Sequence, residues 1–340
     1  MADTTKRSLL AAAMAGTMLA LAPHAASAQE SQDYLLATAS TGGTYYPVGV
    51  AIATLVKVRL QNAEGINMSA INSAGSGENI RLLRDGEADF AILQGLFGAY
   101  ARQGTGPIEE SGPQDNLRSI TGLWPNVEHF VILSEHADTG TISDMGNVTG
   151  KAVSMGLQNS GTIGSNEVIM ANLGMPLEEF ELAYMGYNPS ADALQNGQIV
   201  AMSTPAGVPV SAVTRAFAAM GDNATLLGFT DEQIAQANGS FEDLWTAYPI
   251  PAGTYPSQDE DVTTIAQPNF LAVDADVPEE TVYLITKAIF ENLPFLQAIH
   301  PATNAMNLES ALPGLPLPLH PGALRYYEEA GLTIPDRLRP

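Results

Sequence analysis

The sequence predicts an α/β protein of two lobes joined by two crossovers, a hinged clamshell with its ligand in the cleft. Three observations predict it. Apolar runs of strand length alternate with helix-patterned segments, the arrangement of largely parallel sheets covered by helices. The alternation stops in a stretch rich in Gly, Pro and acidic residues at 103–117 and restarts at Lys151, so a second α/β unit is inserted into the first. Residues 131–134 offer the way in and the extended apolar run 263–273 the way back. The expected organisation is a signal peptide at 1–28, lobe 1 at 29–130 plus 265–340, and lobe 2 at 131–264.

In the first unit, residues 34–39 are an apolar strand. Ser40-Thr41-Gly42-Gly43-Thr44-Tyr45-Tyr46 follows, and Pro47 is expected to open a helix. Its fixed φ suits the first helical position, where its missing N–H is not needed. Val48, Ile52, Leu55 and Val56 fall on one face of that helix, with Lys57 and Arg59 off it. Residues 66–71 form a second strand, Ser73-Ala74-Gly75-Ser76-Gly77 a loop, and 78–84 a short helix stopped by Gly86. The run DFAILQ at 89–94 is a buried-type strand, and 95–102 a helix. Strands at 119–123 and 129–133 flank Trp124-Pro125.

The second unit repeats the alternation. Residues 151–155 form a strand, Gln158-Asn159-Ser160-Gly161-Thr162 a loop, and 165–173 a helix ending at Gly174. Strands at 180–184, 199–203 and 224–228 alternate with helices at 190–196 and 210–220, with a turn at 205–209. Three prolines make 249–261 irregular. After the strand 263–273, helices are expected at 279–293, near Asn307 and at 321–330, separated by LPGLPLPLHPG at 312–322. No fixed-period repeat is visible.

Length and charge narrow the function. Lys6 and Arg7, an apolar stretch at 9–22 and Ala26-Ser27-Ala28 make a secretory signal with cleavage near Ala28. The apolar stretch is too short for a membrane anchor. Removing 28 of 340 residues leaves 312, and the lost Asp3, Lys6 and Arg7 sum to +1, which takes the net charge from −23 to −24. At about 150 residues per domain, that length suits two domains. The product is expected in the periplasm, as a monomer without direct membrane insertion. With no cysteine, disulfides and lipid attachment through a thiol are excluded. The acidity excludes nucleic acid and anionic membrane surfaces as partners. It also means that an anionic ligand is repelled by the global field and must be held by local dipoles.

Four strand-to-helix joins share one chemistry: residues 40–44, 73–77, 159–162 and 204–207. Glycine lets the backbone approach a ligand, hydroxyls cap a helix or bind the ligand, and helix N-termini add unpaired N–H groups with partial positive charge. Capping alone accounts for any single join; four across two lobes point to a shared cleft. Such loops lie beyond the carboxyl ends of parallel strands, where ligands sit. Gln94, at such an end, can donate and accept. Of Tyr45 and Tyr46, one is expected to face the ligand and the other to pack helix against sheet.

Enzyme motifs fail. Ser76 and Ser160 lack the G-x-S-x-G elbow, Gly150-Lys151 continues with Ala152 rather than Ser or Thr, and Ile80 stands where a dinucleotide fingerprint needs glycine. His129, His136, His300 and His320 show no metal spacing, so neither metal nor cofactor is expected. An exported hydrolase would need Ser160 with His129 or His320 as base.

The ordered set of motifs resembles the solute-binding subunit of TRAP transporters, specifically the TAXI family of periplasmic binding proteins. The residues that carry the likeness are Ser40-Thr41-Gly42-Gly43-Thr44-Tyr45-Tyr46-Pro47, Gly75-Ser76-Gly77-Glu78-Asn79, Ala88-Asp89-Phe90-Ala91-Ile92-Leu93-Gln94, Ser160-Gly161-Thr162, Ile250-Pro251-Ala252-Gly253-Thr254-Tyr255-Pro256 and Pro318-Leu319-His320-Pro321-Gly322-Ala323. The resemblance implies a type II-like periplasmic-binding-protein clamshell that is not an enzyme. It implies capture of a small carboxylate, such as glutamate, glutamine or 2-oxoglutarate, and delivery to an integral-membrane TRAP permease driven by an ion gradient. The alternative is a periplasmic sensor that presents the same solute to a signalling receptor. By the same resemblance, Thr44, Tyr45, Ser76, Gln94, Ser160 and Thr162 line the site, with backbone from Gly43, Gly161 and Gly207. Two departures bear on pocket width: Ala74 stands where the family pattern has glycine, and Gly77 where a larger residue is common.

Overall fold

A computed structural model describes residues 31–340 of the chain. The expected signal peptide at 1–28 lies outside the described residues.

The first unit runs β1 (Gln32–Ala37), α1 (Tyr45–Glu64), β2 (Ile66–Ile71), α2 (Ser76–Arg84), β3 (Phe90–Gln94), α3 (Gly95–Gln103) and β4 (Leu117–Val127). The inserted unit runs β5 (Phe130–Leu133), β6 (Ala152–Ser154), α4 (Gly161–Asn172), β7 (Glu181–Leu182), α5 (Tyr187–Gln195), β8 (Ala201–Ser203), α6 (Ser211–Met220), β9 (Ala224–Leu227) and α7 (Asp231–Asn238). The hairpin β10 (Thr246–Ile250) and β11 (Val262–Asp274) returns the chain, and α8 (Glu279–Glu291), α9 (Leu293–Ile299) and α10 (Pro321–Glu329) close it.

Two sheets result, so the fold is the expected two-lobed mixed α/β clamshell. One sheet has the order β10-β11-β3-β1-β2, with β4 on β11; the other is β7-β6-β8-β5-β9. Within the βαβ units the strands are parallel, with Leu36 opposite both Ala70 and Phe90. The strands that carry the chain between lobes are antiparallel: β11 to β3 and β4, β5 to β8 and β9. The sheets are therefore mixed rather than largely parallel, because a chain that leaves a lobe and returns must reverse direction. Leu36, Ile52, Phe90, Ile92 and Phe97 are buried in the first lobe, each contributing about 1.5–3 kcal/mol of transfer free energy.

Several local expectations change. The helices α1, α2, α4 and α5 begin up to a turn before the first apolar residue of their periodic pattern. Pro47 is thus the third residue of α1, and Thr44 precedes the helix. Their first residues, Tyr45, Ser76, Gly161 and Tyr187, line the cleft ahead of the apolar pattern. β4 passes unbroken through Trp124-Pro125. Pro125 lies opposite Pro268 beside a register shift, so neither proline leaves a partner's carbonyl waiting for an N–H. Pro249 sits inside β10, an edge strand that tolerates it. The helix α7 was not expected, although Thr230 and Gln233 form a capping box there. The helix expected near Asn307 is replaced by a 3₁₀ turn at Pro301–Ala305.

Only Glu128 and His129 separate β4 from β5. Glu128 N–H donates to the Ile265 carbonyl of β11 at 2.8 Å, so the two crossings run side by side.

Candidate functional site

The carboxyl ends of β1, β2, β3, β6, β7 and β8, with the residues that follow them, meet between the lobes. They enclose a cavity with about 30 Å³ of room for the centre of a water-sized sphere, enough for one or two waters. Its walls are Ala39, Ser40, Gly43, Thr44, Tyr45, Ala74, Gly75, Ser76, Gln94 and Asn126 from one lobe, and Gly161, Thr162, Tyr187, Pro205 and Ala206 from the other.

The first residues of four helices line this cavity: Tyr45 of α1, Ser76 of α2, Gly161 of α4 and Tyr187 of α5. Each N-terminus carries roughly half a positive charge. Three of the four have no side-chain cap, and only Ser160 caps its own helix. No charged side chain lines the cavity. Burial raises the pKa of Tyr45 well above the ordinary phenol value, with nearby Tyr187 and Glu128 adding to it, and raises that of Tyr187 as well. Both therefore stay neutral hydroxyls.

The lobes are latched. Gln94 Nε2 donates to the Gly161 carbonyl and to Ser165 Oγ, each at 2.8 Å. Thr44 Oγ1 donates to the Gly207 carbonyl at 3.0 Å, and Glu78 N–H to the Asn159 carbonyl at 2.9 Å. The Gly42 carbonyl accepts from Ser211 Oγ at 2.9 Å and from Ala212 N–H at 3.2 Å, closing the N-terminus of α6 from the opposite lobe. Two glycines make this approach possible. A Cβ on Gly161 would lie 2.8 Å from the Gln94 amide and 2.9 Å from Ser76 Oγ, and one on Gly77 would lie 2.5 Å from the Asn159 carbonyl oxygen. The missing side chain at Gly77 thus permits tighter closure.

The NMT1-like family matches residues 36–331. The chain belongs to the NMT1-like family. Two solved structures share the fold of this NMT1-like chain. A protein from Bordetella bronchiseptica RB50 aligns over 87% of this chain and 82% of its own, at 13% identity and a TM-score of 0.53. A periplasmic transporter aligns over 90% and 96%, at 11% identity and a TM-score of 0.51. The alkanesulfonate-binding protein SsuA from Xanthomonas axonopodis pv. citri, bound to MOPS, aligns over 88% and 91%, at 12% identity and a TM-score of 0.46.

In this NMT1-like chain, seven of the nine residues expected from sequence converge on the cavity: Gly43, Thr44, Tyr45, Ser76, Gln94, Gly161 and Thr162. Two do not line it. Ser160 Oγ accepts from Ile163 N–H at 3.0 Å and donates to the Leu157 carbonyl at 2.7 Å, so its hydroxyl is spent on capping. Gly207 packs on Trp124 and Ala302 and reaches the site only through its carbonyl on Thr44. Tyr45, not Tyr46, faces the cavity; its hydroxyl donates to Asn269 Oδ1 and its ring meets Trp124 edge-on at 6.2 Å. Arg81 and Arg84 are surface residues paired with Asp85, and Arg81 also pairs with Glu87. Neither histidine of the serine–histidine alternative meets Ser160: His129 is bonded to Val127 and Tyr255, and His320 to Val277 and Gly322.

Sequence reasoning missed Asn126 and Tyr187. Asn126 Nδ2 donates to Gln94 Oε1 at 3.2 Å and orients that amide. Tyr187 OH donates to the Pro205 carbonyl at 2.7 Å and accepts from Thr162 Oγ1 at 2.8 Å. A signal for Tyr187 exists. Tyr45-Tyr46-Pro47 and Tyr187-Asn188-Pro189 both place tyrosine first and proline third in their helices, one in each lobe. Asn126 has no comparable local mark.

Proposed function

We propose that this protein is a periplasmic solute-binding protein that captures a small carboxylate and delivers it to a membrane permease. The observation that carries this reading is the convergence of four helix N-termini on an interlobe cavity with no charged side chain. Such a site favours an anion through dipoles and N–H groups, which is what a chain of net charge −23 requires if its ligand is negative. Hydrogen bonds to a charged ligand contribute about 1.5–3 kcal/mol each, so a few of them supply the roughly 8 kcal/mol of a micromolar complex after ordering costs.

Gly43, Thr44, Tyr45, Ser76, Gln94, Gly161 and Thr162 are the proposed contacts, with Asn126 and Tyr187 added and Ser160 and Gly207 acting through their neighbours. The motif set favours glutamate, glutamine or 2-oxoglutarate as ligand, a TRAP permease of the TAXI type as partner, and a role without chemistry on the solute. A ligand of that size enters only with the lobes farther apart than here, where the void is about 30 Å³. Lobe boundaries at 131 and 264 place the hinge at Glu128-His129 and at the first half of β11. The test is mass spectrometry of the copurifying small molecule, with thermal shifts for a panel of amino acids, dicarboxylates, sulfonates and phosphonates. A concentration-dependent rise with glutamate or a related carboxylate supports the reading; a response confined to sulfonates or phosphonates overturns the ligand class.

A further inference from the structure

Two carboxylates are buried among the described residues, Asp144 and Glu128. Asp144 is fully engaged, accepting from the N–H groups of Thr139 and Gly140 and from Thr139 Oγ1. Glu128 is not. Trp245 Nε1 reaches its Oε1 at 3.3 Å and the Gln267 amide lies against it, while Oε2 has no partner. An ionised carboxylate left this way in a dry interior is costly.

Its place in the fold gives that cost a consequence. Glu128 forms the first crossing between lobes, and its backbone is tied to the second: its N–H donates to Ile265, and its carbonyl accepts from Thr264 Oγ1 at 2.9 Å. Gln267 Nε2 in turn donates to Ser165 Oγ of α4 at 2.9 Å, the hydroxyl that also holds Gln94. The side chain is therefore one contact away from the latch. The groups that act on it are Trp245 ahead of β10 and Gln267 of β11, and its charge in turn raises the phenols of Tyr45 on α1 and Tyr187 on α5, one from each lobe. The neighbouring His129 imidazole is occupied by Val127 and Tyr255, and no lysine or arginine is among the groups that shift the Glu128 carboxyl.

We propose that Glu128 is a proton-operated hinge: the lobes close with its carboxyl neutral, and its ionisation favours the open form. Burial in the closed form raises the carboxyl to about 8, against an ordinary value of 4.5. Opening admits water to Oε2 and returns the group toward that ordinary value. By linkage, the closed-to-open ratio falls as pH rises between the two values, by up to about tenfold per unit, and levels off above the higher one. The mechanism concerns closure and not solute identity, so its test uses solute-free protein and is independent of the carboxylate reading.

The experiment is small-angle scattering of the wild-type protein at about pH 6.5 and about pH 9, paired with Trp245 emission in a Trp124→Phe background over the same range. The expected result is a larger radius of gyration at the higher pH, with an emission change that reports the Trp245–Glu128 contact. In Glu128→Gln, whose amide cannot ionise, radius and emission should be the same at both pH values. A wild-type radius that does not change with pH overturns the proposal whether or not the variant folds. So does an expansion that persists unchanged in a folded Glu128→Gln protein.

Discussion

Gln94 Nε2 donates to the Gly161 carbonyl at 2.8 Å, joining the last residue of β3 to the first residue of α4 across the cleft. The same nitrogen bonds Ser165 Oγ, and Asn126 fixes the other end of the amide. The amide that sequence reasoning placed among ligand contacts thus holds the lobes together as well.

Gln94→Ala should leave the fold intact and weaken the closed form. Two interlobe bonds are lost, for about 1–3 kcal/mol in all. The check is solute affinity by calorimetry, with an expected drop of about tenfold to a hundredfold. Unchanged affinity would show that the latch is not used in the bound state.

Gly161→Val should prevent closure. Even a Cβ lies 2.8 Å from the Gln94 amide, and a branched side chain requires the lobes to part. Small-angle scattering should show an expanded protein with normal circular dichroism, and solute-induced stabilisation should vanish.

Tyr45→Phe should destabilise the protein, whereas Tyr46→Phe should change little. The Tyr45 hydroxyl is the donor to Asn269 Oδ1, and its loss strands a buried acceptor, at about 1–3 kcal/mol. Tyr46 is only partly buried and lies outside the cavity lining. Urea denaturation of the two variants separates them.

His129 should make stability fall on acidification. Burial lowers its imidazole to about 4 from an ordinary 6.5. Between those values the unfolded chain binds a proton that the native chain refuses, so stability is held above the higher value and lost as pH falls toward the lower one. The full loss is about 3 kcal/mol if the imidazole is the sole contributor. Glu128, raised by burial to about 8, opposes this slope over the same window, so the check is made in a Glu128→Gln background: denaturation midpoints there should slope across the window and flatten when His129→Phe is added.

Much of the fold was legible because the apolar pattern reports which side of an element meets the core. Leu36, Val48, Ile52, Phe90 and Ile92 announce β1, α1 and β3 by their spacing, and all five are buried. Helix starts escape the apolar pattern for the same reason. Tyr45, Ser76, Gly161 and Tyr187 stand ahead of the apolar pattern of their helices and line the cavity, so hydrophobic periodicity does not mark them. Pro125 and Pro249 look like breaks in the sequence, but a ladder's tolerance for a missing N–H depends on what lies opposite, as Pro268 does opposite Pro125.

The sequence by itself determined the two α/β units, the order in which they interleave, and the glycine and hydroxyl joins that end at the cleft. These are properties of residues close together in the chain. Only the tertiary structure decided that Tyr45 rather than Tyr46 faces the cavity, that Ser160 spends its hydroxyl on its own helix, and that Asn126 and Tyr187 complete the wall. It also decided that Glu128, one acid among thirty-seven acidic residues, sits where both crossings meet. Each of those outcomes depends on partners drawn from distant parts of the chain, and burial and pairing exist only once the lobes are assembled.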